Sequence, residues 1–256
     1  MQYRDIAGQS MAFHERGQGP LAVFVHGFPL DHRMWLDQVE ALSPVRRCVA
    51  LDLPGFGRSD PLRERVLTMS RIADDIAEFI GDRQADVVAL SMGGYAALAL
   101  WERHPQVIRS LSLFDTRSGE DSEEGRAGRR LMAEQVADRG MGALVDGLVE
   151  RLLAPGASVV VRARLRGMIE SAAPETVVAA LEGMVRRPDR TDLLATITVP
   201  TLVLVGQEDQ PTPPAVAEAM ATRIPGSTLV TVPGAGHLTP VEAPEQVNDA
   251  LREFWT

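Results

Sequence analysis

A doubly wound α/β fold with a mostly parallel sheet is predicted by two observations. Short, continuous apolar runs recur along the chain, as expected of strands covered on both faces. Segments with helical apolar spacing alternate with them, the βα alternation that builds a parallel sheet. A third observation adds one departure: between residues 117 and 192 the alternation stops and only helical spacing remains, which predicts a helical insertion.

Taken in order, Gln2 to Ile6 and Ser10 to Glu15 alternate loosely around Gly8 and read as an antiparallel hairpin at a sheet edge. Leu21-Ala22-Val23-Phe24-Val25 is the first buried strand and ends at Gly27. Further strands are expected at Cys48 to Leu53, Asp86 to Leu90, Ser110 to Phe114, Thr201 to Val205 and Ser227 to Val232. Helices are expected at Met34 to Leu42, Ile72 to Ile80, Met92 to His104, Pro214 to Arg223 and Pro244 to Trp255. Proline opens the last two because its missing N–H would have no partner in a first turn. The core is thus assigned to 1–116 and 193–256 and a helical cap to 117–192, with ordinary crossover helices as the competing reading of that stretch. No internal repeat or long low-complexity segment interrupts it.

Composition narrows the function. The 256 residues are 45% hydrophobic and 24% charged, enough for a sizeable core, and the net charge of −9 opposes a surface built for nucleic-acid phosphates. No segment reaches the apolar length of a membrane span, so a cytoplasmic protein is expected. The single cysteine, Cys48, lies in an apolar run and reads as core filler. The chain has no lysine, which excludes a lysine Schiff base and a P-loop lysine.

Three loops carry chemistry. Ala89-Leu90-Ser91-Met92-Gly93-Gly94 joins a strand to a helix, with small residues two before and two after the serine. A tight turn of that kind strains the serine backbone and leaves no room for bulk at those positions. An N-cap serine with glycines for helix packing fits the same residues. His26-Gly27-Phe28-Pro29 follows the first buried strand; Pro29 has no N–H, so Phe28 is the amide the loop can offer to an oxyanion. Asp52-Leu53-Pro54-Gly55-Phe56-Gly57 is a turn rather than a phosphate cradle, since Walker spacing is absent.

The serine segment resembles the nucleophile elbow of the α/β-hydrolase superfamily, with Ala89 where glycine is usual, and the His26 loop resembles that superfamily's oxyanion loop. The resemblance covers nearly the whole core and implies the α/β-hydrolase fold, with Ser91 as nucleophile and the Phe28 and Met92 amides as oxyanion hole. Five histidines could supply the base. His14 lies in the edge hairpin, and His104 ends a helix before Pro105. His26 is expected to make structural hydrogen bonds and His32 to meet solvent. His237, in Pro233-Gly234-Ala235-Gly236-His237-Leu238 after the last strand, remains, and its position resembles the superfamily's catalytic histidine; a turn histidine without a role is its alternative. The acid should follow a strand between serine and histidine. Asp209 matches the family position, with Glu208 and Asp115 as rivals and turn capping as its plain alternative.

Among relatives the chain looks closest to small bacterial esterases, enol-lactone hydrolases and cofactor-free haloperoxidases. The resemblance implies a cofactor-free carboxylic-ester hydrolase acting on small to medium acyl chains, with a small-molecule ester or lactone as substrate. Lactonase, perhydrolase and C–C hydrolase activities are alternatives on the same triad, and a ligand sensor retaining a hydrolase pocket is the reading from another class. A metal enzyme is not expected, because no two histidines stand at ligand spacing near carboxylates. Phe28, Met92, Leu238, Met141 and Leu144 are the expected substrate contacts, with Met132, Leu148, Met168 and Met184 adding to an adaptable apolar roof. Monomer and homodimer fit the sequence equally.

Overall fold

The computed structural model describes residues 1–256. Eight strands form one sheet: β1 (Gln2–Ile6), β2 (Gln9–Arg16), β3 (Leu21–Val25), β4 (Arg47–Leu51), β5 (Ala85–Leu90), β6 (Ile108–Phe114), β7 (Thr201–Gly206) and β8 (Thr228–Val232). Their order is β1-β2-β4-β3-β5-β6-β7-β8; β1 and β2 are antiparallel, and all pairings from β4 to β8 are parallel. All residues of β3, β5 and β7 are buried, the consequence of helices on both faces, whereas β1 and β8 at the two edges are mostly exposed.

The core helices are α1 (Leu36–Leu42), α2 (Met69–Ile80) and α3 (Met92–Arg103), followed after the insertion by α8 (Pro214–Arg223), α9 (Thr239–Glu242) and α10 (Pro244–Phe254). α2 packs against α3, and α1 against α10. The helix expected from Met34 is divided: His32–Trp35 is a 3₁₀ turn capped by Asp31, and α1 begins at Leu36. α2 starts at Met69, three residues earlier than apolar spacing indicates, because the Thr68 hydroxyl accepts from the Arg71 amide at 3.1 Å. Cys48 is buried in β4, where burial pushes its thiol pKa up to about 12.

From β3 the chain passes to β4 on one side and then returns past β3 to β5 on the other. The crevice at the carboxyl ends of β3 and β5 is therefore a topological switch point, where open α/β sheets bind ligands. The loop after β3 carries Phe28, and the turn after β5 carries Ser91.

Between β6 and β7 lie four α-helices, two short 3₁₀ turns (Met141–Ala143 and Asp192–Thr196) and no strand: α4 (Glu123–Arg139), α5 (Val145–Leu152), α6 (Val159–Glu170) and α7 (Pro174–Val185). α4 and α7 pack together. α7 also lies on the core loop before α2, where the Leu67 amide donates to Ala179 O at 3.0 Å. A Cβ on Gly183 would come within 1.7 Å of Leu67 O, so only glycine permits this approach. No helix of the protein is long and apolar enough to cross a membrane.

Candidate active site

Ser91 closes β5 with φ 53° and ψ −113°, a left-handed backbone that costs a non-glycine residue about 1–3 kcal/mol. Its surroundings hold it there. The Ser91 amide donates to Phe114 O at 3.0 Å, and Ser91 O accepts from the Thr116 hydroxyl at 2.8 Å and the Tyr95 amide at 3.2 Å. A Cβ on Gly93 would lie 2.5 Å from Val25 O, and one on Gly94 would lie 2.4 Å from Thr116 Oγ1. These glycines let α3 settle against β3 and the end of β6. Ala89 does not strain the turn directly, because it occupies a ladder position in β5 between Val25 and Leu113.

Although Ser91 stands at the N-cap position of α3, its hydroxyl makes no capping bond. It lies 2.8 Å from His237 Nε2 instead. His237 Nδ1 lies 2.9 Å from Asp209 Oδ2, and both residues are buried. The three side chains thus form a single hydrogen-bonded row, with Nδ1–H donating to the carboxylate and Nε2 left to accept from the serine.

Asp209 also performs the turn capping that was its plain alternative. Oδ1 accepts from the Thr212 amide at 2.8 Å, and Oδ2 accepts from the Thr212 hydroxyl at 2.6 Å. Thr212 thereby fixes the carboxylate, a role that only the Asp-x-x-Thr spacing hints at. Glu208 is exposed. Asp115 does not reach the histidine: its Oδ1 accepts from the Gly206 amide at 2.9 Å, and its Oδ2 lies 2.5 Å from the Thr239 hydroxyl. Burial, and then the nearby Asp209 charge, hold the Asp115 carboxyl well above the usual carboxylate range.

The loop that carries His237 is pinned by groups the sequence did not mark. The His237 amide donates to Leu152 O at 3.0 Å, at the end of α5. Glu242 Oε1 accepts from the Gly236 and Leu238 amides at 3.0 and 3.2 Å, while Oε2 accepts from Ala154 N–H at 2.7 Å. One carboxylate therefore joins the histidine loop to the insertion. Burial raises the Glu242 pKa, and the three amides oppose that rise.

Met92 follows Ser91 in the chain and Phe28 lines the same cavity, and neither amide donates to an acceptor within the protein. Gly27 permits the approach of the Phe28 loop, since a Cβ there would meet Leu90 Cδ2 at 2.8 Å and Ser91 Cβ at 3.4 Å. Behind the loop, fully buried His26 accepts from the Leu53 amide at Nε2 and donates from Nδ1 to Gly27 O. Burial lowers its pKa and keeps the imidazole neutral. His32 does not face solvent as expected; it is largely covered, and its Nδ1 bonds Asp52 Oδ1 at 2.8 Å. Asp31, His32 and Asp52 are close enough to suggest a metal cluster. Their oxygens are already engaged by the Arg33 side chain and the amides of His32, Arg33 and Arg58, which makes them a loop brace.

A cavity of about 490 Å³ opens over Ser91 and His237. Phe28, Tyr95, Met132, Leu148, Leu152 and Met184 form its less polar wall; Arg117, Asp121, Arg129 and Arg151 form a polar one. Met132, Leu148 and Met184 thus occupy expected positions, while Met92, Met141, Leu144, Met168 and Leu238 do not line it. Those five are buried in the surrounding hydrophobic core, so their apolarity serves packing. On α5 the cavity is met one turn beyond Leu144, at Leu148, and one turn further at Leu152. The wall is also more charged than an apolar roof.

The profile of the Alpha/beta hydrolase family matches residues 22–250. A pimeloyl-[acyl-carrier protein] methyl ester esterase of Neisseria meningitidis serogroup B is 32% identical over 251 residues, covering 94% of this chain and 96% of the relative. A thermophilic esterase from Thermogutta terrifontis, solved with malate bound, superposes with a TM-score of 0.96 at 41% identity, covering 100% of this chain and 98% of the other. The enol-lactonase from Burkholderia xenovorans LB400 shares the fold at a TM-score of 0.88 and 24% identity, over 99% of each chain.

Proposed function

Because this chain belongs to the alpha/beta hydrolase family, we propose that it is a serine esterase that cleaves carboxylic esters of small to medium acyl chain. The observation that carries this reading is the row Ser91 Oγ, His237 Nε2, His237 Nδ1, Asp209 Oδ2, with contacts of 2.8 and 2.9 Å. In it, His237 Nε2 takes the hydroxyl proton as Ser91 attacks the ester carbonyl. Asp209 holds the tautomer and stabilises the imidazolium. The negative charge on the tetrahedral oxygen is met by the Phe28 and Met92 amides, and the positive end of α3 favours it further. His237 then gives its proton to the departing alcohol. Water attacks the acyl-enzyme with His237 as base, and the carboxylic acid is released. The 117–192 helices act as a cap that sets acyl length.

Esters and lactones of increasing acyl length, run beside Ser91→Ala, test this. Wild-type protein should turn over p-nitrophenyl acetate or butyrate and acquire an organophosphonate adduct on Ser91. Ser91→Ala should lose at least about a thousandfold in kcat. A wild-type protein with neither turnover nor labelling, or a Ser91→Ala variant that keeps its rate, overturns the reading.

A further inference from the structure

The arginines around the cavity are not equivalent. Arg129 binds Asp121 through Nε at 2.6 Å, and buried Arg187 meets the same carboxylate at 2.7 Å. Those two guanidinium groups hold the Asp121 pKa at about 2 against the opposing effect of burial, so its charge is fully engaged. Arg151 stands exposed at the cavity mouth.

Arg151 has no ion pair either but is solvated, whereas Arg117 is the cavity arginine that is both half-buried and without a carboxylate partner. It leaves the end of β6 immediately after Thr116, the residue whose hydroxyl holds Ser91 O, and it lines the same cavity as Ser91 and His237. Its one protein hydrogen bond goes to the carbonyl of Pro211. Its Nε is buried without an acceptor, and the side chain is in no ion pair. Arg126 and Arg187 also have an unpartnered Nε, but each places its other nitrogens on carboxylates. A guanidinium offers five N–H donors in a planar fork that matches a carboxylate. Withdrawing it from water without an anion is unfavourable, so a half-buried arginine facing an active-site cavity with no acid partner is suited to an anion that arrives with the ligand. In a chain of net charge −9, this half-buried, unneutralised cation shares a cavity with Ser91.

Building on the esterase reading above, we propose that Arg117 binds a carboxylate on the substrate, so that the enzyme prefers esters bearing one free carboxylate over their neutral isosteres. The carboxylate can sit on the acyl or the alcohol side, and paired substrates separate the two. Monomethyl glutarate against methyl 5-amino-5-oxopentanoate reads the acyl side; 4-acetoxybenzoate against 4-acetoxybenzamide reads the alcohol side. In wild-type protein, kcat/KM for the anionic member of at least one pair should exceed its neutral isostere by about tenfold or more, mostly through KM. Arg117→Gln should bring that ratio close to one, and Arg117→Lys should retain part of it.

If Arg117 only braced the Pro211 carbonyl, both members of a pair would slow together and the ratio would persist. That result overturns the proposal, as does a wild-type preference for the neutral ester in both pairs. A binding measurement separates this from the esterase reading. Glutarate titrated calorimetrically into Ser91→Ala should bind, and its affinity should fall about tenfold or more when Arg117→Gln is added. If wild-type protein cleaves no ester, the proposed function fails while the glutarate titration still decides the role of Arg117. Equal glutarate affinity in the two proteins overturns that role.

Discussion

The two halves of the serine–histidine pair are held in different ways. Ser91 is fixed mainly by backbone packed on backbone: a left-handed residue whose amide bonds Phe114 O, with Gly93 against Val25 O and the Thr116 hydroxyl as the one side-chain support. His237 lies on a loop fixed mainly by side chains, with Glu242 gathering three amides and Asp115 meeting Thr239, and with one backbone bond from the His237 amide to Leu152 O of the insertion. Close packing gives the first half little means of yielding except by distortion of the sheet. Hydrogen bonds to ionisable groups make the second half adjustable, and sensitive to charge.

The sharpest way to break the first half is Gly93→Ala. The added methyl group would meet a strand carbonyl at 2.5 Å, with no flexible side chain to move aside, so a loss of about 3 kcal/mol is expected in urea unfolding. Gly27→Ala makes the internal control, because its nearest obstacle is the end of the Leu90 side chain, and its loss should be smaller.

Glu242→Gln breaks the second half. An amide has one oxygen for a site that needs acceptors on both sides, so it leaves either Ala154 N–H or the Gly236 and Leu238 amides facing a donor. Misplacing His237 by even about 1 Å should lower kcat ten- to a hundredfold, with a smaller effect on KM, in steady-state assays of the ester used for wild-type protein.

The smallest effect is expected for Asp115→Asn. An asparagine can accept from Gly206 and donate to Thr239 Oγ1, and so preserve both contacts. Because the folded-state pKa of Asp115 is raised, the native protein holds the proton more tightly than the unfolded chain does. Its contribution is present at low pH and is lost as pH rises from the ordinary carboxylate value of 3.8 through the raised one. Urea midpoints measured across pH should therefore diverge in favour of the asparagine variant as pH increases. Parallel profiles would show that Asp115 is ionised at no cost to the fold.

Much of this contrast could be read in the sequence on one side and little on the other. The serine turn is local: Ala89 to Gly94 spell out strand, tight turn and helix within six residues. The parallel sheet was likewise legible, because strands buried on both faces must be apolar throughout. The supports of His237 are not local. Glu242 meets Ala154 across 88 positions, and Asp115 meets Thr239 across 124, so no spacing rule connects them. α9, only four residues long, is too short to show a period. In the insertion, helical spacing identified the apolar residues but could not separate the part of α5 facing the cavity from the part facing its neighbours. Met141 and Leu144, in the turn that leads into α5, do not line the cavity, and the sequence misses this for the same reason: spacing marks them as apolar without saying which side they face. Arg117 escaped notice because an arginine without a partner looks like any other arginine until its surroundings are known.

The bond from the His237 amide to Leu152 has a consequence for protein engineering. The segment that roofs the cavity also supports His237, so the 117–192 stretch is not a module that can be exchanged between relatives at its two junctions. A transplanted roof would have to bring its own equivalent of Leu152 and Ala154 into register with Gly236 and Glu242. Without that register, a graft that folds well would be expected to alter the rate for every substrate at once, and altered selectivity would be hidden beneath a general loss.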